Sequence, residues 1–293
     1  MLVRAARRSF GPGGWFAAML VTVGLGALWW WVPPPNQHLF GGYPQAQNWL
    51  NRVTAHVLAN PGFTVGYSEW HGGPAWVAYR VRRVSEHGGV GRLEHFSLDH
   101  RTLRRITSDD YRNSGYDRGH LAPNYAMAKL FGAPAQRASF LMSNISPQAP
   151  RLNQLLWQRL EEAETDLLAP PGGDLWVLTG PIYGQSAARL GPAVTVPEAF
   201  FRVWVKQDAR GPQVLALRIP QSVCGDENPA DFLVSIDTLE AQIGWDLMPE
   251  LPQLQQQALE SVINPAPWPI AQLAARKARF GKRFARQPCP TRQ

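Results

Sequence analysis

Six short apolar runs, each bounded by turn-forming residues, share this chain with one long stretch of helical apolar period, and that imbalance limits the folds open to it. The runs at 63–67, 75–81, 139–144, 174–179, 200–205 and 214–218 read as strands, with His71-Gly72-Gly73-Pro74 as a turn between the first two. Leu152, Leu155, Leu156, Leu160, Ala163 and Leu167 recur at the spacing of one helix face, so a helix is predicted over 151–168. Shorter helices are predicted over 48–58 and 231–243. With 26 glycines and 26 prolines, loops must be frequent and elements brief. Strands in runs, without a helix after each, favour an α+β fold over a doubly wound parallel sheet.

The N-terminus carries a separate signal. Residues 14–32 contain no charge, and 19 residues at about 1.5 Å each match a hydrocarbon core of roughly 30 Å. Arg4, Arg7 and Arg8 precede the segment, Trp29-Trp30-Trp31 end it, and Pro33-Pro34-Pro35 stop a helix there. A transmembrane signal anchor is expected, with the rest of the chain outside a bacterial inner membrane. A cleaved signal peptide and a mitochondrial presequence are the alternatives, the latter leading to the intermembrane space. The expected organisation is a basic segment over 1–13, the anchor over 14–32, and a linker with a short helix over 33–59. A catalytic domain over 60–252 and a basic tail over 253–293 complete it.

A net charge of +7 suggests an anionic partner, but its location matters. Three arginines near the start and seven basic residues after position 269 account for it, and the body between them is net negative. Positive charge within the body is concentrated between Arg80 and Arg118, where nine arginines face six acids. Two cysteines, Cys224 and Cys289, exclude a disulfide-rich scaffold and a four-thiolate zinc site. They are read either as one disulfide, expected in an oxidising compartment, or as two unrelated thiols. In the tail, Arg276, Arg279, Arg283 and Arg286 would align on a helix as a basic stripe. A solvated face, phosphate contacts and anionic-lipid contacts remain open for it.

That concentration of charge leads directly into Asp117-Arg118-Gly119-His120-Leu121-Ala122-Pro123-Asn124. Taken alone, the first four residues fit a strand end with a surface Asp–Arg pair, a glycine turn and a hydrogen-bonded histidine. Downstream lie Ser143-Asn144-Ile145-Ser146-Pro147-Gln148, Leu152-Asn153-Gln154, Trp157 and Leu160-Glu161. Asn153 stands near the start of the predicted helix, where a capping role is the plain alternative. Glu161 follows eight residues later, about 80° around an ideal helix and about 12 Å along it.

In these ordered motifs the chain resembles the DNA/RNA non-specific endonucleases with a ββα-metal, or His-Me, finger. That family includes secreted bacterial nucleases and mitochondrial endonuclease G. The resemblance implies a central antiparallel sheet with flanking helices and the finger. It implies His120 as the general base that activates water and Asn153 as the protein ligand of a magnesium ion, for which manganese can substitute. Glu161 and Asn144 would orient the water shell or the site, and Arg92 and Arg118 would hold the scissile phosphate. Some bacterial members carry asparagine where this chain has Phe140. Histidine suits the base role near neutrality, and magnesium keeps most of its waters, so a single amide ligand suffices. The implied products carry 5′-phosphates. DNA and RNA would be bound mainly through phosphates, with little sequence preference. Homodimer formation and an inhibitor protein stay open, and a catalytically idle nucleic-acid-binding module is the rival reading. The other six histidines lack paired metal-ligand spacing.

Overall fold

Alternate side chains along the central strands enter two different cores, and this accounts for their uninterrupted apolar sequences. The computed structural model describes residues 37–84, 91, 93–191, 193–277, 284 and 289. Within them, strands β1 (Gln45–Ala46), β2 (Ala55–Asn60), β3 (Phe63–Ser68), β4 (Gly73–Val81), β5 (Asp117–His120), β6 (Ile145–Gln148) and β7 (Leu175–Ile182) form the first part of the chain. β8 (Arg189–Leu190), β9 (Val194–Thr195), β10 (Ala199–Asp208), β11 (Gly211–Pro220), β12 (Leu233–Val234) and β13 (Trp245–Asp246) follow. Seven of them build an antiparallel sheet in the order β12-β11-β10-β7-β4-β3-β2.

On one face of that sheet, Val77, Tyr79, Phe200, Trp204, Leu215 and Leu217 pack with Leu152, Leu156, Trp157 and Leu160. On the other, Trp76, Ala78, Phe201, Val203, Val205 and Ala216 pack with Ile236, Leu239, Trp245 and Leu247. A strand covered on both sides loses the alternation of a half-solvated one. The close approach of strands also selects Gly66, where a Cβ would fall 2.1 Å from the Trp76 ring.

Helices α1 (Trp49–Thr54) and α2 (Asn124–Ser139) precede α3, which runs over 152–168. α4 (Ile236–Ile243), α5 (Gln253–Glu260) and α6 (Ile270–Ala275) follow. α1 is capped by Asn48, whose side chain accepts from Asn51 N at 2.8 Å, and it ends at Thr54 because 55–60 pairs with β3. The helix predicted over 48–58 is therefore half strand. α4 begins at the Ser235 cap and ends at Gly244 in the left-handed region, so the helix expected from 231 starts later. The 139–144 run is not a strand. α2 ends at Ser139, a short 3₁₀ turn occupies Met142–Asn144, and the strand begins at Ile145.

The body also exceeds the expected 60–252 limits. β2 forms a sheet edge, β1 pairs with β13, and Trp268 and Leu273 are buried in the first core. The structure joins Cys224 to Cys289 as a disulfide, with Cα atoms 5.3 Å apart. Arg276 closes α6 and binds Asp166 at 2.8 Å, so it belongs to an ion pair with the finger helix. Arg279, Arg283 and Arg286 lie outside the described residues, as does the segment 14–32. Among the described residues no helix is long and apolar enough to cross a membrane.

α3 is held to the sheet by charge as well as packing. Glu164 accepts from Arg202 Nη1, Trp204 Nε1 and Tyr79 Oη, each at 2.8 Å. Arg202 and Glu164 are both 0% exposed, so neither charge can fall back on water. Burial pushes Glu164 above the usual carboxylate range, and Arg202, Trp204 and Tyr79 oppose that shift. Removing one member of such a pair costs about 3–5 kcal/mol, whereas replacing both by apolar groups costs far less. Arg202→Met is expected to lower unfolding stability by about that amount, and Arg202→Met/Glu164→Leu to recover part of it, measured by urea denaturation. A double variant no more stable than the single one would show that the pair does not carry the joint.

Candidate active site

β5 and β6 form a two-stranded ribbon with Asp117 opposite Gln148, Arg118 opposite Pro147, Gly119 opposite Ser146 and His120 opposite Ile145. α3 follows β6 directly, completing a ββα unit. Gly119 is required by packing within it, since a Cβ there would meet Gln148 Oε1 at 2.0 Å. The 121–144 excursion between the strands is pinned at both ends by Asn144. Its side chain accepts from Ala122 N at 2.9 Å and donates to Ala122 O at 3.0 Å and Ser139 O at 2.9 Å. Asn144 is fully buried, and both ends of its amide are engaged by backbone, so it holds the chain just beyond His120.

Arg118 and His120 are two residues apart on β5 and share one face of the ribbon. Both reach the same aromatic side chain. Phe96 lies 5.3 Å from the His120 ring and 6.0 Å from the Arg118 guanidinium, ring centroids being the reference. Phe140, the position that departs from some bacterial members, packs edge-on against His120 at 4.7 Å. Together these rings form an apolar wall for the imidazole. Arg118 does not pair with Asp117. It donates from Nε and Nη2 to Ser108 O, at 3.1 and 2.5 Å, and lies over Tyr111. His120 is also fixed through its backbone: its carbonyl accepts from Trp157 Nε1 at 3.3 Å.

Asp117 serves another purpose. One of its oxygens accepts from Asn153 Nδ2 at 2.9 Å and from Gln154 Nε2 at 2.6 Å. A carboxylate offers only acceptors, so it dictates which end of each amide faces it. Asn153 must present its nitrogen to Asp117, so its Oδ1 is turned away from that carboxylate. Nor does Asn153 cap the helix, because its own N–H donates to Ala149 O at 2.9 Å inside the first turn.

That first segment, Leu152–Trp157, is a π-helix, and Glu164–Leu168 is another, with α-helix over Gln158–Ala163 between them. The ideal 3.6-residue count that separated Asn153 and Glu161 by 80° does not hold across the wider turns. Glu161 is 18% exposed, and its Oε1 lies 3.7 Å from Arg202 Nη2, with no hydrogen-bond donor among the described residues. Burial pushes its pKa up to about 8, Arg202 pulls the other way, and Glu164 and Glu162 add to the rise. Arg202 in turn lies 4.0 Å from the centroid of the Trp157 ring.

These features fit a hard cation. An amide oxygen fixed by a carboxylate and a buried carboxylate oxygen lacking a donor are both oxygen ligands of the kind magnesium takes, directly or through water. Arg92 lies outside the described residues. Asp117, Gln154 and Arg202 were given no role from sequence. Asp117 carried a signal, as a carboxylate three residues before the histidine in a short motif. Of the remaining histidines, His38 and His71 are structural: His38 is buried and His71 half-buried, and each is held at about 4, first by burial and then by nearby arginines. His71 stacks on Tyr183 at 3.7 Å.

Comparisons with known proteins bear on the family and the fold. The family profile described as DNA/RNA non-specific endonuclease matches residues 46–254. A nuclease of Nostoc sp. is 29% identical over 276 residues, covering 87% of this chain and 98% of its own. Mitochondrial endonuclease G of Homo sapiens is 30% identical over 213 residues, covering 67% of this chain and 71% of its own. Among solved structures, the crystal structure of an EndoG/EndoGI complex superposes with a TM-score of 0.61 at 24% identity, covering 68% of this chain and 88% of the matched one. A profile match across most of the chain, over the ββα unit and the sheet that supports it, makes this protein a member of the DNA/RNA non-specific endonuclease family.

Proposed function

We propose that the protein is a magnesium-dependent endonuclease that hydrolyses DNA and RNA phosphodiester bonds with little sequence preference, leaving 5′-phosphate ends. The observation that carries this reading is the Asp117 carboxylate. It accepts from Asn153 Nδ2 and so turns Oδ1 away from itself, where a metal ion could take it, and it stands on the same short strand that ends in His120.

Asn153 would hold the metal, with Glu161 positioned to bind its waters. When bound, the ion stabilises negative charge on the phosphate and the leaving 3′-oxygen. His120 takes the proton from the attacking water. Its ring is braced by Phe96 and Phe140, and its backbone by Trp157 and Asn144, so the imidazole is held in place. Arg118, and Arg92 by resemblance, neutralise the scissile phosphate. Contacts confined to phosphate and sugar carry no base information, hence the broad substrate range. Asn144 acts by positioning the loop after His120 and not by touching the ion.

The compartment belongs to the same proposal. A Cys224–Cys289 bridge requires oxidising surroundings, and residues 14–32 would tether the domain to the outer side of a membrane. Mitochondrial relatives support the intermembrane space as the alternative to a bacterial periplasm. The EndoG/EndoGI complex supports an inhibitor protein as a class of partner.

In digests of plasmid and of RNA, the purified chain is expected to cleave with magnesium and stop with chelator. His120→Ala should lower the rate about 10²–10⁴-fold. Cleavage that survives chelation, or is unchanged in His120→Ala, would overturn the mechanism, and binding without cleavage would favour the idle module. Asp117→Asn no longer forces the Asn153 amide one way. It should raise the magnesium concentration for half-maximal activity about 10–100-fold, as loss of a group orienting a metal ligand does. An unchanged metal requirement would remove Asp117 from the site. A reporter fused after residue 45 is expected to be active only outside the cytoplasm or matrix; activity confined to the inside would refute the topology.

A further inference from the structure

On the sheet face opposite the finger, α4 and α5 bring three carboxylates to one point. Asp237 and Glu240 stand about one turn apart on α4, and Glu260 is the last residue of α5. One oxygen from each lies within 4.8 Å of the other two. A calcium ion with oxygen ligands at about 2.3–2.6 Å spans up to roughly 5 Å between opposite ligands, so the three oxygens fit around one ion.

Exposed acidic clusters are common and unremarkable, but two of these groups are not exposed. Glu240 is 8% exposed and Glu260 4%. Oε1 of Glu260 is buried and accepts no hydrogen bond among the described residues. A buried carboxylate oxygen without a donor is costly unless a proton or a cation meets it. Glu240 is held in place, its Oε1 accepting from Leu247 N at 2.7 Å.

Among the described residues no basic side chain relieves the cluster. The charges acting on Glu240 are Asp246 and Asp237, and those acting on Glu260 are Glu240, Asp246 and Asp237. Asp246 is itself occupied by Gln256 Nε2 at 3.1 Å. Burial first, and then these acids, push Glu240 up to about 7 and Glu260 up to about 8, with the Leu247 N–H opposing the rise at Glu240 and the Gln256 side chain opposing it at Glu260.

We propose that Asp237, Glu240 and Glu260 form a second divalent-cation site, of the calcium type, which ties α4 to α5 apart from the nuclease centre. The donor set is all oxygen, which selects a hard cation. Calcium, which accepts six to eight oxygens in flexible geometry, suits carboxylates drawn from two separate helices better than magnesium, which demands a near-ideal octahedron. Asp237 lies at the exposed end and leaves room for the waters that three protein ligands require. A dissociation constant of roughly 10⁻⁴–10⁻³ M is expected for such a partly open site. The role is structural: the ion would hold two helices together at a junction where the second core meets the surface.

Calcium titration of the chelator-stripped full chain by calorimetry, together with thermal unfolding, tests this. The natural chain should bind one equivalent more than Asp237→Asn/Glu260→Gln. Its Tm should rise by about 5–10 °C at calcium one hundred times the dissociation constant. The double variant should lose that response while cleaving at the natural rate in saturating magnesium, which separates this site from the nuclease centre. Equal stoichiometry in the two proteins would overturn the proposal. So would a natural chain whose Tm ignores calcium, which identifies the cluster as carboxylates sharing protons.

Discussion

The ion pair between Glu164 and Arg202 is the joint on which the catalytic end of the molecule rests. Two fully buried charges are tolerated only because each is met by the other and because Trp204 and Tyr79 complete the hydrogen bonding of the carboxylate. Glu164 lies on the finger helix, whereas Arg202, Trp204 and Tyr79 lie on two strands of the main sheet. The pair therefore locks the helix in one rotational setting, which apolar packing alone would specify less sharply. From Arg202 the constraint passes to the Trp157 ring beneath it, and from the Trp157 indole to the carbonyl of His120. It also passes to Glu161, whose carboxylate lies just beyond bonding distance of the same guanidinium.

Carboxylates perform different tasks in this small region because their surroundings differ. Asp117 works as an acceptor that turns two amides. Glu164 is a structural anion. Glu161 is the one whose burial is only partly offset, by Arg202 at 3.7 Å. Asn144, by contrast, has spent both ends of its amide on backbone. Its presence in the motif reflects the need to close the 121–144 excursion at a fixed point beside His120.

Much of this was readable from the chain alone. The strands at 63–68, 73–81, 175–182, 199–208 and 211–220 announced themselves as apolar runs because both faces of the sheet are buried. The finger helix did so by its leucines. α2 was not seen, because Gly132 adopts φ +77° and Pro134 follows it, so no single apolar period spans the sixteen residues that the helix occupies. β2 was absorbed into a longer helix, since an edge strand with Ala-His-Val-Leu-Ala-Asn has no alternation to distinguish it. The sequence motifs around His120 pointed to the chemistry, and the ordered spacing out to Glu161 made the family resemblance specific.

What the chain determined by itself was the set of local choices: strand or helix, which residues cap, where charge is concentrated, and which short motif ends in a histidine. Those follow from side-chain pattern and backbone preference within a few residues. Orientation was decided only by the tertiary structure. That Asp117 faces Asn153 and not Arg118, that Asn144 is consumed by backbone, and that Arg202 reaches Glu164 and borders Glu161 all depend on partners 22 to 41 residues away. Hydrogen bonds and buried charges are settled by whichever partner the packed sheet brings within about 3 Å, and no rule of sequence spacing encodes that distance.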